Sequence, residues 1–170
     1  MGGSPFQVRT TTRVAHSAGP VTFGGRQNPD LPAFQKNPGK YVMVPANAKR
    51  RHTSVLERER LLKAFAEETP INRVEKRGVM GVVASGVAYQ HVCEAFPEAS
   101  VLKLGMTWPL PERKLMDFAS QVKRVVVVEE LDPFLETELR AMGIPCSGKD
   151  VLPREGEFEP GMVRRALLGQ

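Results

Sequence analysis

Cysteine is scarce in this sequence and stands in no metal-binding arrangement. Of the 170 residues, 2 are cysteines, and Cys93 and Cys146 lie far apart, outside any CxxC or Cys/His spacing. A disulfide framework or a zinc site would need more cysteines at closer spacing, so neither is predicted. A reducing cytoplasm fits this cysteine usage best.

Long apolar runs and clustered charges are also lacking. No apolar segment approaches the roughly 18 residues of a membrane span, and the start, Met1 to Pro5, has no signal-peptide organisation. The formal net charge is +5, but the basic residues are scattered except at Lys49–His52. Aromatic residues make up 6% of the chain, and none interleave with that cluster to stack on bases. We therefore expect neither a membrane nor a nucleic-acid partner.

Apolar residues make up 41% of the chain, which is enough for one domain core and a short extension. Residues 1 to 52 are interrupted by turn signals such as Asn37-Pro38-Gly39 and predict an extended connector. Within it, Phe6 to Val14 has the β-branched content of one strand, which would join a sheet made elsewhere.

A helix is predicted from about Ser54 to Glu68, in a linker that covers residues 21 to 76. Ser54 and Glu57 have the spacing of a capping box. The positions that approximate an apolar stripe are Val55, Leu62, Phe65 and Ala66.

From Gly78 onward, strands and helices alternate strictly. Val125–Val128 is a continuous β-branched run, which suits a strand buried on both faces of a parallel sheet. In chain order, the predicted elements are a strand at Val79–Ala84, a helix at Val87–Phe96, a strand at Val101–Leu104, a helix opened by Pro111, the strand Val125–Val128, a helix closed by Gly143, a short strand within Ile144–Ser147 and a helix from Glu159-Pro160 to Leu168. This alternation predicts an α/β fold, a three-layer αβα arrangement with a mostly parallel sheet, in residues 77 to 170. An irregular N-terminal extension precedes it.

The run from Arg124 to Gly143 predicts a strand, a turn and a capped helix. Asp132 is the predicted helix cap, and Pro133 suits the first turn because its missing amide hydrogen would be unpaired there. Gly143 can close the helix in a left-handed conformation.

The candidate site residues of this run are Glu129 and Glu130, which follow the strand at the edge where α/β proteins place ligands. Adjacent carboxylates in extended backbone point to opposite sides, so they do not form a pair that shares a proton. Either one of them serves acid/base chemistry, or one is held by hydrogen bonds in the turn and the other lies in solvent or at an interface. Trp108, the single tryptophan, either walls a pocket beside Glu129, covers the sheet edge or packs on a neighbouring domain.

Other chemistry-bearing motifs favour structural interpretations. Gly81–Gly86 leads from a strand into a helix but matches neither GxGxxG nor GxxxxGK[ST], so a tight turn in which Ser85 helps to cap is favoured over a phosphate site. The histidines, His16, His52 and His91, have no accompanying cysteine or serine motif that would complete a nucleophilic triad.

Four consecutive segments carry a resemblance to a known family: Gly81–Gln90, Ala99–Pro111, Arg124–Phe134 and Gly148–Arg154. Together they resemble the alpha subunit of indolepyruvate ferredoxin oxidoreductase. Upstream, Arg9–Ser17 is similar to the end of that family's first thiamine-enzyme domain. The resemblance implies that residues 1–20 are the tail of that domain and that residues 77–170 form a domain related to the carboxy-terminal domain of transketolases.

In that family, an aryl 2-oxo acid is decarboxylated with thiamine pyrophosphate and Mg, coenzyme A receives the acyl group, and four-iron four-sulfur clusters pass electrons to ferredoxin. This sequence has no Gly-Asp-Gly motif and no CxxCxxCxxxC run, so we expect a truncated subunit that binds none of these cofactors itself. The expected role is a scaffold and subunit-contact domain, inactive alone, with Trp108, Glu129 and Glu130 as candidate domain-interface residues. The expected partners are the remaining alpha and beta chains. The alternatives are a stand-alone α/β module for a small ligand or nucleotide, and an interaction domain left from gene decay.

Overall fold

The computed structural model describes residues 8, 10, 12 to 30 and 33 to 169. The chain divides into two compact units, residues 1–55 and residues 56–170. In order, the helices and strands are α1 Thr12–His16, α2 Pro38–Tyr41, α3 Pro45–Glu68, β1 Arg73–Glu75, β2 Met80–Ser85, α4 Gly86–Ala95, β3 Ser100–Leu104, α5 Glu112–Ser120, β4 Arg124–Val128, α6 Phe134–Ala141, β5 Cys146–Ser147 and α7 Pro160–Leu168.

The first unit contains short helices and extended segments. The predicted strand from Phe6 to Val14 is wrong where it is described, because Thr12–His16 forms helix α1 and Val8 lies in no strand. A strand needs the hydrogen bonds of a neighbour, whereas a helical turn satisfies its own backbone locally. The rest of that predicted strand lies outside the described residues.

Helix α3 begins at Pro45, nine residues before the predicted cap at Ser54. Proline suits the first helical turn, and no glycine or second proline interrupts the following residues. Ser54 therefore lies inside the helix and does not cap it. Of the predicted apolar stripe only Ala66 is buried, while Leu62 and Phe65 are exposed.

The second unit is built on a five-stranded sheet in the order β1-β3-β2-β4-β5. Strands β3, β2, β4 and β5 are parallel, and β1 pairs antiparallel with β3. Val82 is opposite Val101 on one side and Val126 on the other, so β-branched residues meet across the centre of the sheet. The predicted αβα class is confirmed. Strand β1 was not predicted, because Arg-Val-Glu carries no apolar run.

Two apolar clusters cover the two faces of the sheet. Alternate strand residues point to opposite faces, so Val82 packs in one cluster and its neighbour Val83 in the other. Helices α4 and α7 contribute to the first cluster, and α5 and α6 to the second. Because the chain runs from β2 outward to β3 and then returns to β4 on the other side of β2, the carboxyl ends of β2 and β4 flank the point where open α/β sheets bind ligands.

Candidate domain-contact site

Glu129 directly follows β4 and is only 7% exposed. Its Oε2 accepts a hydrogen bond from the Leu135 amide at 2.8 Å, and its Oε1 accepts one from the Glu136 amide at 2.9 Å. A carboxylate at this position accepts hydrogen bonds from amides that would otherwise be unpaired at the start of a helix. Its negative charge is also stabilised by the positive end of the helix dipole. Burial raises the pKa of Glu129. The hydrogen bonds from the two backbone amides and the charge of nearby Lys149 oppose part of that rise.

The predicted cap of helix α6 was therefore wrong. The helix begins at Phe134, and the Asp132 carboxylate lies 2.9 Å from the guanidinium of Arg154 instead of binding a helix amide. Glu129 is the cap, although it lies outside the turn that normally supplies one. The prediction for Gly143 holds, since it follows α6 with φ of 77°.

Glu136, in the first turn of α6, is a second buried carboxylate. Its Oε1 lies 2.6 Å from the Arg140 guanidinium, and its Oε2 accepts the Lys149 amide at 2.8 Å. Gly148 passes so close that a Cβ there would overlap the Glu136 carboxyl group. The Gly148 amide in turn donates to Asp150 Oδ1, which lowers the pKa of Asp150. The glycine is therefore required by a close approach to a buried charge.

Lys149 joins this turn to the end of β4. Its ammonium group donates to the carbonyl oxygens of Glu129 and Pro153 and lies 5.0 Å from the ring centroid of Phe158. Burial lowers the pKa of Lys149, and the charge of Glu129 opposes that change. The segment from Gly148 to Arg154 therefore contacts the loop after β4 at several points.

Glu130 has a partner in a different segment from Glu129. Its Oε1 accepts the Phe158 amide at 2.9 Å, and Phe158 is fully buried in the α4/α7 cluster. The two adjacent carboxylates therefore accept hydrogen bonds from different parts of the fold. Glu129 accepts from the start of α6, and Glu130 accepts from the segment before α7. Each is occupied by backbone amides, which is a structural arrangement and not a proton-sharing pair.

Three apolar side chains are exposed at this edge. Trp108, in the loop after β3, is 60% exposed and precedes a cis peptide bond to Pro109. Its ring centroid lies 6.3 Å from that of Phe134, with the ring planes tilted by 59°. Leu131, in the loop after β4, is 61% exposed. We call Trp108, Leu131 and Phe134 the edge patch.

The loop that carries Trp108 is held by Asn72, a buried residue that sequence reasoning missed. Asn72 Oδ1 accepts the amides of Gly105 and Met106, each at 2.9 Å, and its Nδ2 donates to the Ala66 carbonyl at 3.1 Å. Every polar atom of this side chain thus has a partner, as burial requires. A lone asparagine 33 residues before its partner gives no sequence signal.

Comparison with known proteins finds relatives of this chain. No family model matches the sequence. The chain is 38% identical to indolepyruvate oxidoreductase subunit IorA of Methanothermobacter thermautotrophicus over 183 residues, covering 98% of this chain and 30% of that protein. It is 33% identical to the IorA subunit of Archaeoglobus fulgidus, covering 97% of this chain and 28% of that protein.

The chain is related to IorA subunits of indolepyruvate oxidoreductase over nearly its whole length. It spans about 30% of the length of the curated relatives it matches. The resemblance carried by the four sequence segments is thereby confirmed. A solved 2-oxoglutarate:ferredoxin oxidoreductase from Magnetococcus marinus, with 2-oxoglutarate, coenzyme A and succinyl-CoA bound, matches 74% of this chain and 23% of its own chain with a TM-score of 0.55. At 18% identity, that likeness shows the fold alone.

Within this IorA-related segment, three of the four resembling stretches meet at one edge of the sheet. The loops after β3 and β4 supply Trp108 and Leu131, and the Gly148–Arg154 turn binds Glu129 and Glu136. The fourth stretch forms β2 and α4, where Ser85 is the N-cap residue but makes no side-chain cap bond. The assignment of Trp108, Glu129 and Glu130 to a domain contact stays a prediction.

The three histidines of the chain lie in helices. His16 lies in α1, His52 in α3 and His91 in α4. In the described part of the chain, no three residues among His, Cys, Asp and Glu are grouped as metal ligands would be. Over the same residues, no helix is both long enough and apolar enough to cross a bilayer.

Proposed function

We propose that this chain supplies an αβα scaffold and contact module of an indolepyruvate:ferredoxin oxidoreductase. The observation that carries the proposal is similarity to IorA subunits over 98% of this chain. The assembled enzyme would oxidatively decarboxylate aryl 2-oxo acids to aryl-acetyl-CoA and pass the electrons to ferredoxin. The chain alone would be inactive.

The cofactors of that reaction would be held by other parts of the assembly. A four-iron four-sulfur cluster needs four thiolates, and this chain has 2 cysteines, both partly buried. The sequence also lacks the Gly-Asp-Gly motif through which the family holds thiamine pyrophosphate and Mg. The residues present therefore do not fit either group, and no catalytic step is assigned to this chain.

The proposed organisation follows the resemblance: residues 1–20 are the tail of a preceding thiamine-enzyme domain, and 21–76 are a linker to the α/β domain of 77–170, although β1 of that linker joins the sheet of this domain. At its carboxyl edge, Glu129 and Glu130 hold the loops in shape while Trp108 contacts neighbouring domains. Two observations support this proposal. The carboxylates of Glu129 and Glu130 accept hydrogen bonds from backbone amides of the same module, and the indole of Trp108 is exposed. We place the assembly in the cytoplasm, with no membrane or nucleic-acid partner.

The test is reconstitution with the other oxidoreductase polypeptides encoded in the same genome. The chain should co-purify with the thiamine-binding polypeptide, and the mixture should reduce a viologen dye in a manner that depends on indolepyruvate and coenzyme A. Omitting the chain should abolish the reduction, and the Gln90→Ala variant, altered at an exposed helix position, should restore it like wild type. Equal dye reduction with and without the chain would contradict the proposal.

The alternative of a stand-alone ligand-binding module is not favoured. The amides at the start of α6, which a phosphate or carboxylate ligand would use, are already bound by Glu129. The curated relatives named above are oxidoreductase subunits and not free-standing binding proteins.

A further inference from the structure

Leu131 adopts a backbone conformation that disfavours leucine. Its φ is 58°, and among the described residues it is the only non-glycine residue with positive φ. The other positive-φ positions are all glycine: Gly86, Gly143, Gly156 and Gly169. In the left-handed region the Cβ of a leucine crowds the following carbonyl, whereas glycine has no such conflict. The module alone would be better served by glycine at this position.

Burial within the module does not offset that strain. Leu131 is 61% exposed, so most of its side chain lies in water. Its backbone conformation therefore costs stability, and burial of the side chain offsets little of that cost. A strained residue without compensating burial points to a contact outside these 170 residues.

The loop that carries Leu131 is held by two hydrogen-bonded carboxylates before it and contacted by an exposed ion pair after it. Before it, Glu129 and Glu130 are bound by the amides of α6 and of Phe158. After it, Asp132 pairs with Arg154 at 2.9 Å. A side chain presented on a fixed loop loses little entropy on binding, which favours a docking role.

The neighbours of Leu131 at this edge are of the kind that anchor interfaces. Trp108 is 60% exposed and Phe134 is 45% exposed, and their rings contact each other. Tryptophan is strongly enriched among residues that dominate binding energy, and exposed apolar clusters of this kind mark interaction sites. The partner surface should therefore be apolar.

The size of the edge patch indicates which partner can use it. Its members bury about 150–250 Å² each at most, whereas a stable interface between free proteins buries about 1,200–2,000 Å² in total. Such a patch is therefore too small to hold two copies of this chain together, and its partner must offer further contacts around it. The chain covers 30% of the Methanothermobacter relative, so most of an IorA polypeptide lies outside the matched segment and is large enough to supply them. A second free copy of this chain lacks that advantage.

We infer that the edge patch docks onto an apolar surface of the remaining oxidoreductase polypeptide, with Leu131 as an anchoring side chain that is retained against backbone strain. This inference rests on the proposed function and names the contact residues and the partner. It adds Leu131 and Phe134 to the proposed interface. The contact made by the Leu131 side chain would explain why leucine and not glycine occupies this strained position.

The test compares Leu131→Gly, Leu131→Ala and Trp108→Ala with Met116→Ala, a control at an exposed apolar residue on α5. Association of each with the oxidoreductase polypeptides from the same genome is measured by sedimentation and titration calorimetry. We expect Leu131→Gly to weaken association roughly 10- to 100-fold. The unfolding midpoint of the same variant, as the 170-residue chain, should rise by a few degrees. The control should change neither.

The outcomes separate the two claims. If wild type binds and Leu131→Gly binds equally well, the inference is wrong and the proposed function stands. A lower unfolding midpoint for Leu131→Gly would also overturn it, because the leucine would then serve the fold. Self-association that Leu131→Gly abolishes would make a second copy the occupant. If wild type binds none of those polypeptides, the proposed function itself fails.

Discussion

The centre of the sheet and its carboxyl edge place polar and apolar groups in opposite ways. At the centre, Val82, Val101 and Val126 are buried between helix layers, as in any α/β core. At the edge, Glu129 and Glu136 are buried while Trp108 and Leu131 are exposed. The centre stabilises the module through apolar burial, whereas the edge buries carboxylates that hold its loops and exposes the apolar side chains that we propose as a contact surface.

Substitution at the centre should have the largest effect on stability. Leu102→Ala removes a fully buried side chain and leaves a cavity in the α5/α6 cluster. We expect the free energy of unfolding to fall by about 2–5 kcal/mol in urea denaturation. Met116→Ala, at an exposed position, should change it by no more than about 0.5 kcal/mol. Equal losses would mean that the centre does not dominate stability.

Asn72→Ala should give the largest effect among polar groups of the edge. It removes the acceptor of the Met106 amide and the side-chain donor to the Ala66 carbonyl, whereas the Gly105 amide keeps the Ile71 carbonyl at 3.1 Å. Losing several hydrogen bonds of a buried side chain is costly, so we expect a loss of about 2–3 kcal/mol. Hydrogen exchange at the Met106 amide should also accelerate. Unchanged protection at Met106 would show that Asn72 does not hold the Trp108 loop.

Glu129→Ala should cost less, because it removes one helix cap. We expect a loss of about 1–2 kcal/mol in the free energy of unfolding. Fraying should be confined to the first turn of α6, where the amides of Leu135 and Glu136 lose their acceptor. Hydrogen exchange resolved by residue tests this. Fraying throughout the sheet would contradict a local cap.

The pH dependence of Glu129 should be smaller still. Its pKa is raised by burial, so the folded state binds a proton more readily than the unfolded state does. The stability that Glu129 gains from its raised pKa is therefore fully present below the ordinary carboxyl pKa. It is lost as the pH rises through the raised pKa. The stability difference between wild type and Glu129→Gln should accordingly shift against wild type over that window. A difference that moves in favour of wild type would indicate a lowered pKa.

The sequence predicted the centre better than the edge for physical reasons. Runs such as Val125–Val128 carry strand propensity and burial in the same residues, so the local pattern is sufficient. Strand β1 depends on pairing with β3, which its residues do not encode locally. The same holds for Asn72, whose two amide donors lie more than thirty residues away.

The cap of helix α6 was also mispredicted from the sequence, although its donor and acceptor residues are only a few positions apart. Asp132 was predicted as the cap because it directly precedes Pro133 and an apolar helix. Glu129 takes the role because the loop folds back on the helix start, while Arg154 holds Asp132. A capping pattern in the sequence records spacing along the chain and not the path of the loop.

The most direct test of the account is the Trp108→Ala variant measured for stability and for assembly in the same preparation. On the 170-residue chain, the free energy of unfolding should change by no more than about 0.5 kcal/mol, because Trp108 is 60% exposed. With the remaining oxidoreductase polypeptides, association should weaken at least tenfold, as expected for a buried tryptophan anchor. Full assembly together with a large loss of stability would contradict the account, because Trp108 would then belong to the core of the module and not to its contact surface.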